Sequence, residues 1–420
     1  MTATLEGADP PAAAEPQLPP RRRRPGDLVT GAVVAVCFQG VLTVFGAVVE
    51  RAFSPLQSLP GDRAPASPSL LQHMDRWDAG YFHWIPDGYY QLDPQSPAFY
   101  PLFPILARGV ELAGFGLFGF LAAGLILNTI ATWVVVVTLL RITQYFIGKQ
   151  CFIGERATSW LAVAIMLTAP TAFFLHEFYS EATFMALGFT AYLLALRRRW
   201  MLMGLCLVPL TATRITAVLF VGLCFLEFWR AGGWRWRALL SPAVLWFPVS
   251  VLGFGCYALY LHVANGDALA MFHAYEAGPF WSFHVFDPNI VATLAEQAGV
   301  VGRAVFGDAA FSNYTLADQV LPLTGLVLLL AASGYLAVVL RGDGVPLAVF
   351  GLMSFVMFTL NSNLVSVHRY LLPCLVLYIA SVVLVSRHPR VKPAVFAVMY
   401  AGVLLQGALM ALFTSNAWAG

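Results

Sequence analysis

Residues 201–229 read MLMGLCLVPLTATRITAVLFVGLCFLEFW, and how often this stretch crosses a membrane decides the fold. It is apolar from end to end except for Thr213-Arg214 near its middle and Glu227 near its end. Read as one span, it would bury an arginine in hydrocarbon at a cost that must be met by a cavity or a partner. It would also carry the next basic cluster (Arg230, Arg235, Arg237) to the outer face and invert every later loop. Read as two short spans, 201–213 and 215–229, it turns at Thr213-Arg214 and both conflicts vanish. Each half is too short for a full crossing, so they are expected to be partly re-entrant or to line a cavity.

The rest of the chain supports a polytopic reading. Of its 420 residues 59% are hydrophobic and only 11% charged, with a mean hydropathy of +0.73, values that belong to membrane proteins. Further apolar runs lie at 28–50, 115–140, 158–175, 180–197, 239–263, 319–340, 345–361, 370–386 and 393–413. With the divided stretch they predict an all-α polytopic membrane protein of about 11 transmembrane helices. The N-terminus is expected in the cytoplasm and the C-terminus outside. That topology places 17 Lys and Arg against 7 acids on the inner face. On the outer face it places 7 against 15, with seven of the eight histidines, a separation the positive-inside rule predicts.

Residues 1–27, rich in Pro and Ala and ending in Arg21–Arg24 before the first span, read as a disordered cytoplasmic tail. The run that follows is too long for the apolar core of a signal peptide, so it reads as an uncleaved span. Residues 28–413 form one transmembrane domain with two long external loops, 51–114 and 264–318, and 414–420 form a short external tail. Six scattered cysteines make no CxxC or Cys/His ligand spacing. The chain carries no P-loop, dinucleotide fingerprint, GxSxG or HExxH, and no basic patch suited to nucleic acid.

The first external loop contains HMDRWDAGYFHWIPDGYY at 73–90. A carboxylate at a partly dry membrane surface is raised in pKa and can act as a general base toward a hydroxyl. Asp78 is the candidate; the plain alternative is that it caps a helix beginning AGYFHW. Asp75 and Asp87 read as caps or turn residues. His73 and His83 lack a third partner in a metal pattern, and the aromatics, Trp77 and Tyr89 among them, would fit an interface belt as readily as a sugar pocket. His176, Glu177, Tyr179, Ser180 and Glu181 form a tight outer turn, where acids satisfy a helix start and a polar head group is the alternative role. Arg214, at the tip of two short helices, suits a phosphate by its planar fork. His368-Arg369-Tyr370 offers a second cation on the same face, where snorkelling to lipid phosphate is the alternative. The segment following AFYPLFP (98–104) is amphipathic and reads as an interfacial helix.

WDAGYFHWIPDGYY resembles the WDAxxYxxIAxxGY signature of the PIG-V family, the second mannosyltransferases of GPI-anchor assembly and their bacterial relatives. AFYPLFP is similar to that family's FFPLYP element, FYSEATF (178–184) to its YSE turn, RWMLMGLCLVPLTATRITAVLF (199–220) to its helix–TR–helix hairpin, and HRYLLP (368–373) to its late RY element. The resemblance runs in family order over about 74–375. Pro86 stands where the family has Ala, and Tyr81-Phe82-His83 varies the middle, departures that bear on the acceptor subsite. The resemblance implies a GT-C-like bundle and an inverting transfer of mannose from polyprenyl-phosphomannose to a glycolipid or glycan outside the cytoplasmic membrane. It implies an essential acid at Asp78 and donor contacts at Arg214 and Arg369, around a pocket shaped by Trp77, Tyr89, Phe99, Tyr179, Glu181 and His368. Such a donor is already activated, so no nucleotide cofactor is implied; a divalent metal is left open. The reading from another class is a transporter or flippase gated by the outer acids and the broken helix, which would call for inverted repeats.

Overall fold

The computed structural model describes residues 25–53, 69–88, 90, 93–149, 155–276, 286–307 and 310–419. Among these the regular structure is helical throughout. Each of the eleven expected spans has a helical counterpart, and the divided stretch is divided where the charge argument requires. Trp200–Thr211 and Ala217–Ala231 are separate helices, with Arg214 in the turn between them.

Among the described residues five helices are long and apolar enough to cross a bilayer: Gly26–Ala52, Phe120–Gly148, Pro242–Asn265, Thr315–Asp343 and Pro389–Thr414. The inner helices are shorter, among them Ala157–Leu167, Glu181–Leu196, Val345–Thr359 and Leu375–Arg387. At 1.5 Å per residue, helices of this length reach only about 20 Å, less than the roughly 30 Å hydrocarbon core. Irregular backbone at such a depth is tolerated only inside protein or along a cavity. Here the irregular stretches 168–180, 212–216 and 360–374 come together at one end of the bundle and supply much of the candidate site.

Glu181–Leu196 is apolar nearly all round, the pattern of a buried helix, and almost every residue in it is buried. It packs against Phe120–Lys149, Trp200–Thr211 and Ala217–Ala231. The tip of the 200–231 hairpin is bolted in place. Gly253 crosses so close to Val208 that a Cβ there would lie 1.9 Å from its carbonyl oxygen. Thr211 Oγ1 donates to the Ser250 carbonyl (2.8 Å) and accepts from the Phe254 amide (3.2 Å). The Leu102 amide donates to the Ala212 carbonyl (3.2 Å), tying the AFYPLFP element to the hairpin turn.

The segment after AFYPLFP is a helix, Leu102–Ala113, with Phe103, Pro104 and Ala107 buried and Ile105, Leu106 and Leu112 exposed. That two-sided character agrees with the amphipathic reading. The two ends of the bundle carry different charge clusters. One gathers Asp27, Arg141, Glu227, Arg230 and Asp343. The other gathers Asp78, Glu181, Arg214 and Arg369. The sequence reading assigns the first set to the inner face and the second to the outer.

Candidate active site

Four charged side chains from four sequence-distant segments form a chain at the second end. Arg214 Nη2 donates to Glu181 Oε1, and Arg214 Nε donates to Ser180 Oγ (3.0 Å). Arg369 Nε lies 3.0 Å from the same Glu181 oxygen, an ion pair without the alignment of a hydrogen bond. Arg369 Nη1 donates to Asp78 Oδ2 at 2.9 Å. The order is therefore Arg214, Glu181, Arg369, Asp78, two cations and two anions, with the Glu181 side chain fully buried and Asp78 16% exposed. The arginine faces are also packed: Arg369 sits over Phe174, Tyr179 and Tyr370, and Arg214 over Phe184 and Tyr370. Such contacts favour a partly dry guanidinium.

A cavity of about 130 Å³ opens onto this chain. Asp78, Arg214, Arg369 and Phe99 line it, with Tyr370, Asn361 and Trp418 among the remaining wall residues. Arg214 Nη1 and Glu181 Oε2 are buried and make no hydrogen bond among the described residues. Unsatisfied donors and acceptors of this kind are costly in a settled interior and call for an explanation.

Asp78 occupies the position before the Ala79–Trp84 helix, yet its side chain makes no capping bond. The carboxylate is turned to Arg369 instead, so the capping alternative does not describe it. Its backbone amide is held by Tyr179, whose Oη accepts from Asp78 N (3.1 Å) and donates to the Arg76 carbonyl (3.3 Å). The preceding Trp77 has φ +54° and, across the cavity, Ser366 has φ +59°. Both are left-handed non-glycine residues of the kind that concentrate at functional sites. Burial pushes the Asp78 carboxyl above its ordinary value, outweighing the charge and hydrogen bond of Arg369; Glu181 pushes the same way and Arg214 against it.

The remaining sequence candidates are sorted by the fold. Phe99 is a wall residue, stacked on Tyr81 at 4.3 Å between ring centroids, and its carbonyl accepts from Tyr90 Oη (2.8 Å) and Tyr257 Oη (3.2 Å). Trp77, Tyr179, Glu181 and His368 stand behind the wall and position what lines it. Tyr89 lies outside the described residues. His368, held by burial down to about 4, donates from Nε2 to the Ala419 carbonyl (3.0 Å). Asp75 pairs with His83 (3.0 Å) and Asp87 with Arg108 (3.0 Å). His73 does not approach His83 as a ligand pair. It meets His176 (Nε2 to Nε2, 3.1 Å), which bonds Gln39 Oε1 through Nδ1 (2.6 Å). Burial lowers His73 to about 4 and pushes the neighbouring Glu177 carboxyl well up. These contacts tie the Asp78 loop to the turn that precedes the Glu181 helix. Among the described residues no group of three His, Cys, Asp or Glu side chains could hold a metal ion.

No protein-family model and no curated protein matches the chain. A crystal structure of the Archaeoglobus fulgidus oligosaccharyltransferase in complex with Zn and sulfate is similar at 15% identity and a TM-score of 0.47, over 90% of this chain and 53% of that one. A crystal structure of the same enzyme, tethered through a disulfide bond to an acceptor peptide containing the NVT sequon, is similar at 15% identity and a TM-score of 0.46, over 91% and 55%. The chain spans about half the length of these proteins. Likeness at that level carries no argument about chemistry, which has to come from the residues themselves.

Proposed function

We propose that the chain is an inverting glycosyltransferase that moves mannose from polyprenyl-phosphomannose to a hydroxyl of a glycolipid or glycan on the external face of the cell membrane. The reading rests on five elements resembling the PIG-V family, all of which contribute to one end of the bundle. The observation that carries it is a raised carboxylate, Asp78, sharing a cavity with Arg214, which has a buried N–H group unpaired among the described residues.

In the proposed step the acceptor hydroxyl oxygen attacks the anomeric carbon from the face opposite the phosphate. Its proton passes to the Asp78 carboxylate as the new C–O bond forms. The anomeric carbon–oxygen bond to phosphate breaks, and the leaving polyprenyl phosphate keeps the electron pair. Arg214 offers its free donor to that growing negative charge, where a preorganised charge contributes most. Arg369 holds Asp78 in place and lends a second positive charge to the site. Glu181 keeps the two arginines apart and neutralises one of them, so a phosphate entering the cavity brings the site to a net charge near −1 before proton transfer.

The reading is tested with the purified chain in liposomes, given synthetic polyprenyl-phosphomannose and a panel of mannoside, glycolipid and peptide acceptors, without nucleotide. Transfer to at least one hydroxyl acceptor with inversion is expected. Passage of the donor lipid between leaflets with no product would support the transporter reading instead.

A further inference from the structure

Residues 415–419 fold back against the charged chain. The Arg76 Nε donates to the Thr414 carbonyl (3.2 Å), and Ser415, Asn416, Ala417 and Ala419 are buried. Asn416 is left-handed, at φ +58°, and this turn sends Trp418 to the cavity wall. The indole is fixed there from several sides. Its Nε1 donates to both oxygens of Asp318 (3.0 and 2.9 Å). It meets Trp77 edge-on, with centroids 5.1 Å apart, and lies parallel to Tyr314 at 6.4 Å. Asn313 Nδ2 holds its carbonyl (2.8 Å), and the next carbonyl accepts from His368, the neighbour of Arg369.

Holding a large aromatic ring in the wall of the Asp78 cavity through so many contacts is more than closing a gap requires. The ring packs on Trp77, the chain neighbour of Asp78, and shares the cavity wall with Asp78. Flat aromatic faces take the C–H-bearing face of a pyranose. We propose that Trp418 is a substrate-binding residue, the platform on which the acceptor sugar ring lies while Asp78 takes its hydroxyl proton. Asp318 is the positioning residue that sets the angle of that platform. The inference rests on the transferase reading and adds to it the residue that holds the acceptor's sugar ring.

The test separates acceptor from donor. Octyl α-mannoside serves as acceptor in steady-state transfer, and farnesyl-phosphoryl mannose as donor in a direct binding measurement that also reports folding. Trp418→Ala should raise the acceptor KM about tenfold or more and leave donor affinity within about twofold. Trp418→Phe, which keeps a flat face, should recover most of the loss. Asp318→Ala should move acceptor KM in the same direction by less, with Asp318→Asn restoring it. Should Trp418→Ala fail to fold, Trp418→Leu fills the space without a π-face and carries the same expectation. An unchanged acceptor KM, or a loss confined to donor affinity, overturns the platform while leaving the transferase reading intact. Failure of the wild-type protein to bind the donor or form product overturns both.

Discussion

The two ends of the bundle each carry a part-buried arginine clamped by a buried glutamate, and they differ in whether the clamp is closed. At the first end Arg230 uses every nitrogen. Nε and Nη2 make a bidentate pair with Glu227 (2.9 and 2.6 Å), Nη2 also reaches Tyr145 Oη (3.3 Å), and Nη1 donates to Asp343. At the second end Arg214 leaves Nη1 empty-handed among the described residues, Glu181 leaves Oε2 unmatched, and a cavity opens beside them. A buried pair whose hydrogen bonds are all met is an architectural joint, and removing one partner strands the others. A buried pair with spare donors and room for a ligand is stabilised only when something else arrives. The comparison teaches that charge burial alone does not mark a site; unmet hydrogen-bonding capacity next to space does.

The difference can be broken or sharpened by substitution. Arg230→Ala should lower folding stability by about 3–5 kcal/mol, because Glu227 is left buried and uncompensated, while donor affinity in the folded fraction stays near wild type. Chemical or thermal unfolding in detergent measures the first and donor binding the second. A fully stable Arg230→Ala variant would remove the architectural half of the contrast.

Arg214→Ala should cost about 2–3 kcal/mol in kcat/KM for the donor, the worth of a charge-assisted contact, roughly a 30- to 150-fold loss. Its effect on stability should be smaller than that of Arg230→Ala, since Glu181 keeps Arg369. Donor titrations at fixed acceptor decide this, and an unchanged donor response would move the phosphate elsewhere. Tyr179→Phe removes a single bridging hydroxyl. It should lower kcat about fivefold, near 1 kcal/mol, with substrate KM values unchanged, because Tyr179 acts on Asp78 through its backbone. A change in KM with kcat intact would make Tyr179 a pocket residue instead.

Much of the helical body was legible because its signals are local. The charge at Arg214 forced the break between 211 and 217, and each of the expected apolar runs holds a helix. The site was legible in its parts and not in its pairing. Asp78 meets Arg369 across 291 residues, and the sequence supplies no cue that one would hold the other rather than a ligand. Arg369 was read as a donor contact; the fold places it first against Asp78 and Glu181. Tyr179 and His368 sit in the matching motifs, yet neither lines the cavity: Tyr179 holds the Asp78 amide and His368 the Ala419 carbonyl. His73 and His83 are near in sequence, yet the partner of His73 is His176, and the His73 ring itself lies so close to Gly46 that a Cβ there would be 2.2 Å away. Trp418 was missed altogether. It lies in a short segment without periodicity or motif, and its contacts with Trp77, Asn313 and Asp318 all span about a hundred residues or more.

The central claim is that Asp78 is the base of a transfer reaction and not one more joint between helices. It is tested most directly by comparing Asp78→Asn with the wild-type protein in liposomes, reading donor turnover against pH together with donor binding. Turnover in the wild type should fall as the pH drops, at a pH higher than an ordinary aspartate would give, because the raised carboxyl must be deprotonated to accept a proton. In Asp78→Asn, donor binding should persist and turnover should fall by about 10²–10⁴-fold, the usual contribution of a general base. Turnover near wild type in a folded Asp78→Asn protein that still binds donor would contradict the account.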